Sequence, residues 1–140
     1  MREIKFRAWD ENNNELVYSE KEDCFYINTK GALFMYNNVK KNQYVKKYEL
    51  MQYTGLKDKK GVEIYDGDIL KITELETQLS SQETTIHKVE YIGSVFEIYP
   101  FLPYGRGRND LLESTESKNY EVEVIGNIYE NQSYFLTSNS

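Results

Sequence analysis

The strongest constraint on the fold is the period of the apolar residues. In Arg2-Glu3-Ile4-Lys5-Phe6-Arg7-Ala8-Trp9, charged and apolar residues alternate, which places Ile4, Phe6 and Ala8 on one face of a strand. The same period of two returns in His87, Val89 and Tyr91, and again in Val122 and Val124. Between such stretches stand turn formers: Asp10-Glu11-Asn12-Asn13-Asn14, Lys57-Asp58-Lys59-Lys60-Gly61, Asp66-Gly67 and Gly93-Ser94. Asn and Asp suit these places because their side chains bond nearby backbone and tolerate positive φ. No apolar pattern of helical period runs beyond two or three turns. The pattern therefore predicts a mainly-β chain of about eight to ten short strands.

Five of those strands are predicted at 62–65, 69–74, 85–92, 95–99 and 121–129, a set that suits a small SH3-like barrel, which closes short antiparallel strands around a small core and limits exposed edges. The Asp66-Gly67 pair between two apolar runs is a hairpin or bulge signal, since Gly adopts φ > 0 without a Cβ clash. Asn109 to Glu113 reads as a short helix with Asn109 or Asp110 as cap. Residues 37–47, rich in Asn and Lys, read as a loop. The division expected is an N-terminal β-rich part, 1–56, and a barrel part with a C-terminal tail, 57–140.

Composition allows a packed core, though a thin one. Leu, Ile, Val and Phe make up 35 of 140 residues, above the roughly one-fifth level below which a charged chain tends to be disordered. Thirteen Tyr residues add buried rings whose hydroxyls stay wet or bonded. The apolar runs are too short for a transmembrane helix, and Met1-Arg2-Glu3-Ile4-Lys5 has no apolar leader segment, so no membrane association is expected. A single cysteine, Cys24, leaves no intrachain disulfide and suits a reducing cytoplasm. With one Cys and one His, a zinc site of the usual Cys/His kind is also excluded within one chain.

Charge is uneven. Residues 1–60 carry 12 Lys or Arg and 9 Asp or Glu, whereas residues 61–140 carry 5 and 14, so the halves have net charges of +3 and −9. A solvated surface is the plain explanation; a head-to-tail contact between copies is the pointed one. Residues 25–56 add the aromatic and Met side chains that interfaces favour, among them Phe25, Tyr26, Phe34, Met35, Tyr36 and Tyr53. The N-terminal part is accordingly predicted to self-associate.

The candidates for chemistry are few. Asp66 and Asp68 flank Gly67 with Glu63 close by, and paired carboxylates can hold a divalent cation or perform acid–base work. A hard cation wants more oxygen ligands than this stretch offers, so a structural turn made of Asp66, Gly67 and Asp68 is the reading favoured. His87 has Ile86 and Lys88 beside it, neither of which orients a catalytic imidazole, and it is expected on a half-buried strand face. Acidic neighbours Glu20, Glu22 and Asp23 oppose thiolate formation at Cys24. Neither a phosphate-cradling Gly-x-x-x-x-Gly-Lys-Ser/Thr nor a Gly-x-Ser-x-Gly elbow is present. No cofactor, no metal and no catalytic residue is therefore expected. Tyr104, Arg106 and Arg108 are the best nucleic-acid candidates, since Tyr stacks on bases and Arg pairs with phosphate. Lys40, Lys41, Lys46 and Lys47 around Tyr44 are a second group. The negative half in which the two Arg residues stand makes nucleic acid the less favoured partner.

Three blocks carry a family resemblance: Glu3-Ile4-Lys5-Phe6-Arg7-Ala8-Trp9-Asp10; Met51-Gln52-Tyr53-Thr54-Gly55-Leu56-Lys57-Asp58 running on into Gly61-Val62-Glu63-Ile64-Tyr65-Asp66-Gly67-Asp68-Ile69; and Val124-Ile125-Gly126-Asn127-Ile128-Tyr129-Glu130-Asn131. In this order they resemble the YopX protein family of phages and prophages. Departures lie at about 19–47 and 76–119, and at Gln132, where the family usually has a Pro. The resemblance implies a small phage-derived protein in a bacterial cytoplasm, and it brings no enzymatic activity with it. The function expected is that of a phage or prophage accessory protein, a non-enzymatic protein-binding or assembly module whose partners are further copies of itself and a host or phage protein. The alternative is a nucleic-acid-binding small β-barrel.

Overall fold

The computed structural model describes residues 3–18, 25–27, 33–35, 49–76, 78, 81–92, 95–100 and 109–131. The chain divides into two compact units, Met1–Tyr53 and Thr54–Ser140. It is mainly β. Among the described residues the strands are β1 (Phe6–Asp10), β2 (Glu15–Tyr18), β3 (Phe25–Ile27), β4 (Leu33–Met35), β5 (Glu49–Lys57), β6 (Glu63–Tyr65), β7 (Asp68–Glu74), β8 (Glu83–Ile92), β9 (Val95–Pro100), β10 (Asn109–Asp110) and β11 (Tyr120–Asn127), and a six-residue helix, α1, spans Leu111–Glu116. The hydrogen-bonded orders are β2-β1-β5-β6, β10-β9-β8-β7-β11 and β3-β4. Strand β5 begins in the first unit and ends in the second. No helix among the described residues is long and apolar enough to cross a membrane.

In the first unit β1 is flanked on both sides, by β2 (Ala8 opposite Val17) and by β5 (Ala8 opposite Leu50), both antiparallel. A central strand is buried on both faces when both are covered, and here Arg7 and Asp10 are buried along with Ala8 and Trp9. The simple alternation therefore holds less far than the sequence suggests: Ile4 precedes the strand and is 73% exposed. The Asp10–Asn14 turn is closed by the Asp10 carboxylate. Its Oδ1 accepts the backbone N–H groups of Asn12 at 2.8 Å and Asn13 at 3.2 Å, and its Oδ2 accepts from the Asn13 side-chain amide at 2.8 Å. Asn14 takes φ +53°, a conformation Asn tolerates better than most residues. Met51 and Tyr53 complete the buried set, with the Lys5 ammonium 5.7 Å from the Tyr53 ring centre.

In the second unit the strands expected at 69–74, 85–92, 95–99 and 121–129 form consecutive or neighbouring members of the five-stranded antiparallel sheet. Their Val, Ile, Thr and Tyr content fits a pleated, half-buried surface. One sheet face carries the core: Leu70, Ile72, Val89, Ile98 and Val122 pack with Ile64 of β6 and Leu111 of α1. The opposite face is polar where Lys71 stands beside Glu123. A bulge between Val124 and Gly126 shifts the register of β11 on β7, which ends the alternation before Ile128.

Two expectations need adjustment. The Asp66-Gly67 pair makes a tight turn but no hairpin, because β6 is bonded into the four-stranded sheet and β7 into the five-stranded one. The cause is local: Gly67 donates to Val89 O at 2.9 Å and accepts from Ile128 N at 2.9 Å, so the turn is stitched to β8 and to the end of β11 rather than continuing a β6–β7 ladder. The helix expected at 109–113 starts later, at Leu111, since Asn109 and Asp110 pair with Ile98 and Glu97 as a short edge strand. The loop expected at 37–47 lies outside the described residues.

Candidate functional site

Two of the three stretches that carry the family resemblance, the middle one and the last, meet in the second unit as three interlocked turns. The first is built on Asp58, just past the end of β5 and only 7% exposed. Its Oδ1 accepts the backbone N–H groups of Lys60 at 2.8 Å and Val62 at 2.9 Å. Its Oδ2 accepts the N–H of Val124 on β11 at 3.0 Å. The Lys59 N–H donates to Val122 O at 3.0 Å. One carboxylate thus closes its own loop and fastens it along the outer edge of β11, the end strand of its sheet. Covering such an edge removes unpaired backbone groups that would otherwise recruit another chain.

The second turn is Asp66-Gly67-Asp68. Gly67 has φ +83°, a conformation that costs a Cβ-bearing residue dearly. Asp68 is 1% exposed and its Oδ2 accepts the Tyr65 N–H at 2.8 Å. Asp66 sits half-buried beside β8. Burial pushes its carboxyl above the ordinary carboxylate range; the Tyr91 N–H bonded to it works the other way, and the nearby Glu90 charge adds to the rise.

The third turn follows β11. Asn127, 2% exposed, accepts through Oδ1 from the N–H groups of Tyr129 and Glu130, each at 2.9 Å, and donates through Nδ2 to Glu130 at 3.0 Å. Asn131 answers by accepting the Asn127 N–H at 3.1 Å. A Cβ on Gly126 would run into the Asn131 carboxamide, so a side chain there would displace the group that accepts the Asn127 N–H.

Charged side chains decorate the rim of the first turn. Lys59 bonds Glu121 at 2.7 Å, Lys60 bonds Glu123 at 2.7 Å, and Lys71 reaches Glu123 at 3.2 Å. The hydrogen bond from Lys59 to Glu121 holds the lysine above its usual range, and the bonds from Lys60 and Lys71 hold Glu123 below its own. The lysines are solvent-exposed while the Glu123 side chain is 19% exposed, and pairs with one such exposed partner contribute little.

Of the residues singled out in the sequence, Asp66, Gly67 and Asp68 occupy one turn as described. Tyr104, Arg106 and Arg108 lie outside the described residues, as do Cys24 and the Lys40–Lys47 group. His87 is more buried than expected, at 7% exposure, because it shares the core-facing alternation of Val89. Among the described residues no group of three or more His, Cys, Asp or Glu side chains is placed to hold a metal ion. The residues that sequence reasoning underrated are Asp58 and Asn127. An Asp three residues before a Gly is a recognisable turn signal, but the partner of its second oxygen, Val124, is 66 residues away and leaves no mark in the local sequence.

These features define a mainly-β protein whose buried polar residues lock turns to strands. The family model described as YopX protein matches residues 5–134, and the chain belongs to that family. A crystal structure of protein EF1440 from Enterococcus faecalis shares its fold, with a TM-score of 0.56 and 24% sequence identity over 96% of this chain and 99% of the other. No curated protein matches the sequence.

Proposed function

We propose that this YopX-family chain is a phage or prophage accessory protein that works in the bacterial cytoplasm as a non-enzymatic protein-binding or assembly module. One observation carries the reading. The buried polar side chains of the family-like blocks in the second unit, Thr54, Asp58, Asp68 and Asn127, all accept backbone N–H groups. Their role is to hold a β scaffold in one shape. A catalytic acid, base or nucleophile needs instead an orienting partner and an open position for the reacting atom, and a scaffold of this kind offers its surface. We assign self-association to residues 1–56, where aromatic and Met side chains are concentrated and the net charge opposes that of the remainder.

Size exclusion with light scattering tests the assembly reading. An oligomer of the 16.6 kDa chain is expected at micromolar concentration, and a monomer that persists at high micromolar concentration overturns it. A mobility-shift assay at low salt tests the nucleic-acid alternative through Tyr104, Arg106 and Arg108. Sub-micromolar binding that Arg106→Ala abolishes would replace the protein-binding reading.

A further inference from the structure

His87 is the single histidine of the chain, and its setting is unusual for a surface-derived strand residue. Its ring lies on the core face of the five-stranded sheet, opposite Leu70 of β7 and Pro100 of β9, with Val89 next on the same face. Nε2 is 2.7 Å from the Thr85 hydroxyl. Nδ1 is buried and has no hydrogen-bond partner among the described residues. A neutral imidazole has one N–H and one lone pair, so the neutral ring leaves one group unmatched; the imidazolium has two N–H donors and a full charge. Placing that charge in apolar surroundings costs far more than leaving one neutral group unmatched.

Among the described residues the neighbouring elements place no counter-charge against the ring. On β7 the same alternation carries Ile72, Asp68 and Glu74; the Asp68 carboxylate is engaged by the Tyr65 N–H, and Glu74 stands opposite Glu83 at the far end of the β7–β8 pair. On β9 it carries Ile98 and Phe96, on β11 Val122 and Val124, and on β8 Thr85, Tyr91 and Glu83. The residues packed into the core from β6 and α1 are Ile64 and Leu111, with Glu63 bonded to the Tyr65 hydroxyl and Glu116 exposed. No charged group contributes to the downward displacement of the His87 titration, which comes from burial alone.

We propose that His87 is an acid-release point of the second unit: neutral, it completes the core face between β7 and β9; protonated, it forces the strand rungs around it to open. The sign follows from proton counting. The unfolded or opened chain titrates near the ordinary value of about 6.5, while the closed form takes up its proton only at lower pH. Between those values the open form binds more protons, so closed-state stability falls as pH falls. In that window each pH unit should shift the opening equilibrium by about tenfold.

The test uses the intact chain, in which one imidazole resonance pair belongs unambiguously to His87. The expected result is an NMR titration midpoint clearly below about 6.5, together with loss of amide protection on acidification that is concentrated in β7, β8 and β9. His87→Phe should remove that acid-dependent loss. A midpoint at or above the ordinary value overturns the proposal. So does a protection loss of the same size in His87→Phe, or, should that variant not fold, a loss in the wild-type chain that is absent or spread evenly over both sheets.

Discussion

Two turn carboxylates hold the two units in different ways. Asp10 in the first unit and Asp58 in the second are similarly buried, at 4% and 7% exposure, and each accepts two nearby backbone N–H groups. Asp10 holds Asn12 and Asn13, two and three residues further along the chain. Asp58 adds Val124, on a strand that arrives 66 residues later. A local clasp shapes a hairpin that its flanking strands already favour. A long-range clasp ties an early loop to the last strand, so it contributes only when the whole sheet has assembled. Substitutions at the two positions should therefore differ in size and in reach.

Asp58→Ala is expected to have the largest effect. It leaves three backbone N–H groups without their acceptor, and at about 1 kcal/mol each the loss is about 2–4 kcal/mol. Asp58→Asn keeps one acceptor oxygen and turns an amide N–H₂ toward another donor, so it should fall between wild type and Ala. Chemical denaturation of the three proteins measures this. Equal stability of Asp58→Ala and wild type would remove the contrast with Asp10. Because the loop also covers the β11 edge, the Ala variant should aggregate more readily on heating than its loss of stability alone predicts.

Gly67→Val comes next. At φ +83° a β-branched residue is a strained outlier, and the expected loss is more than about 1 kcal/mol. An unchanged melting temperature would mean that the turn relaxes at no cost, contrary to its bonds with Val89 and Ile128.

Much of this scaffold can be read along the chain, and the reason is locality. The stretches expected at 69–74, 85–92 and 95–99 stand close to β7, β8 and β9 because short apolar or alternating runs bounded by turn formers report directly on strands. The Asp66-Gly67 pair likewise signals a residue at positive φ. What stays hidden is pairing across distance. Nothing near Tyr65 says that β6 joins β5 while β7 joins β8, and a turn signal is the same whether or not the strands it joins pair with each other. The burial of Arg7 is equally invisible, since its guanidinium packs against Met51, 44 residues further on, with Nη2 3.6 Å from Sδ. His87 falls between these cases. Its face is evident from Val89 and Tyr91, but the depth of its burial is set by neighbours on other strands.

Asp10→Ala tests the local side of the comparison. The two backbone N–H groups it frees belong to Asn12 and Asn13, both exposed, so water can replace the lost acceptor. The expected loss is about 1 kcal/mol, clearly less than for Asp58→Ala in the same denaturation experiment. A loss as large as that of Asp58→Ala would show that the Asp10 clasp does more than shape its own turn.

The smallest effect belongs to the ion pairs around the Asp58 loop. Lys60 and Glu123 meet at 2.7 Å, and Lys71 approaches the other Glu123 oxygen at 3.2 Å. Geometry this close suggests strength, yet Lys60 is 61% exposed. Its attraction is weakened by water and offset by the entropy of fixing a long side chain. The N–H bonds to Asp58 lie underneath and do not depend on it. Lys60→Gln should therefore leave the melting temperature nearly unchanged. Raising ionic strength from about 0.01 to about 1 M, which shortens the screening length from about 30 to about 3 Å, should likewise do little to wild type. If Lys60→Gln instead approached Asp58→Ala in its effect, and salt reproduced that loss in wild type, the loop would be held on β11 by charge rather than by the buried carboxylate.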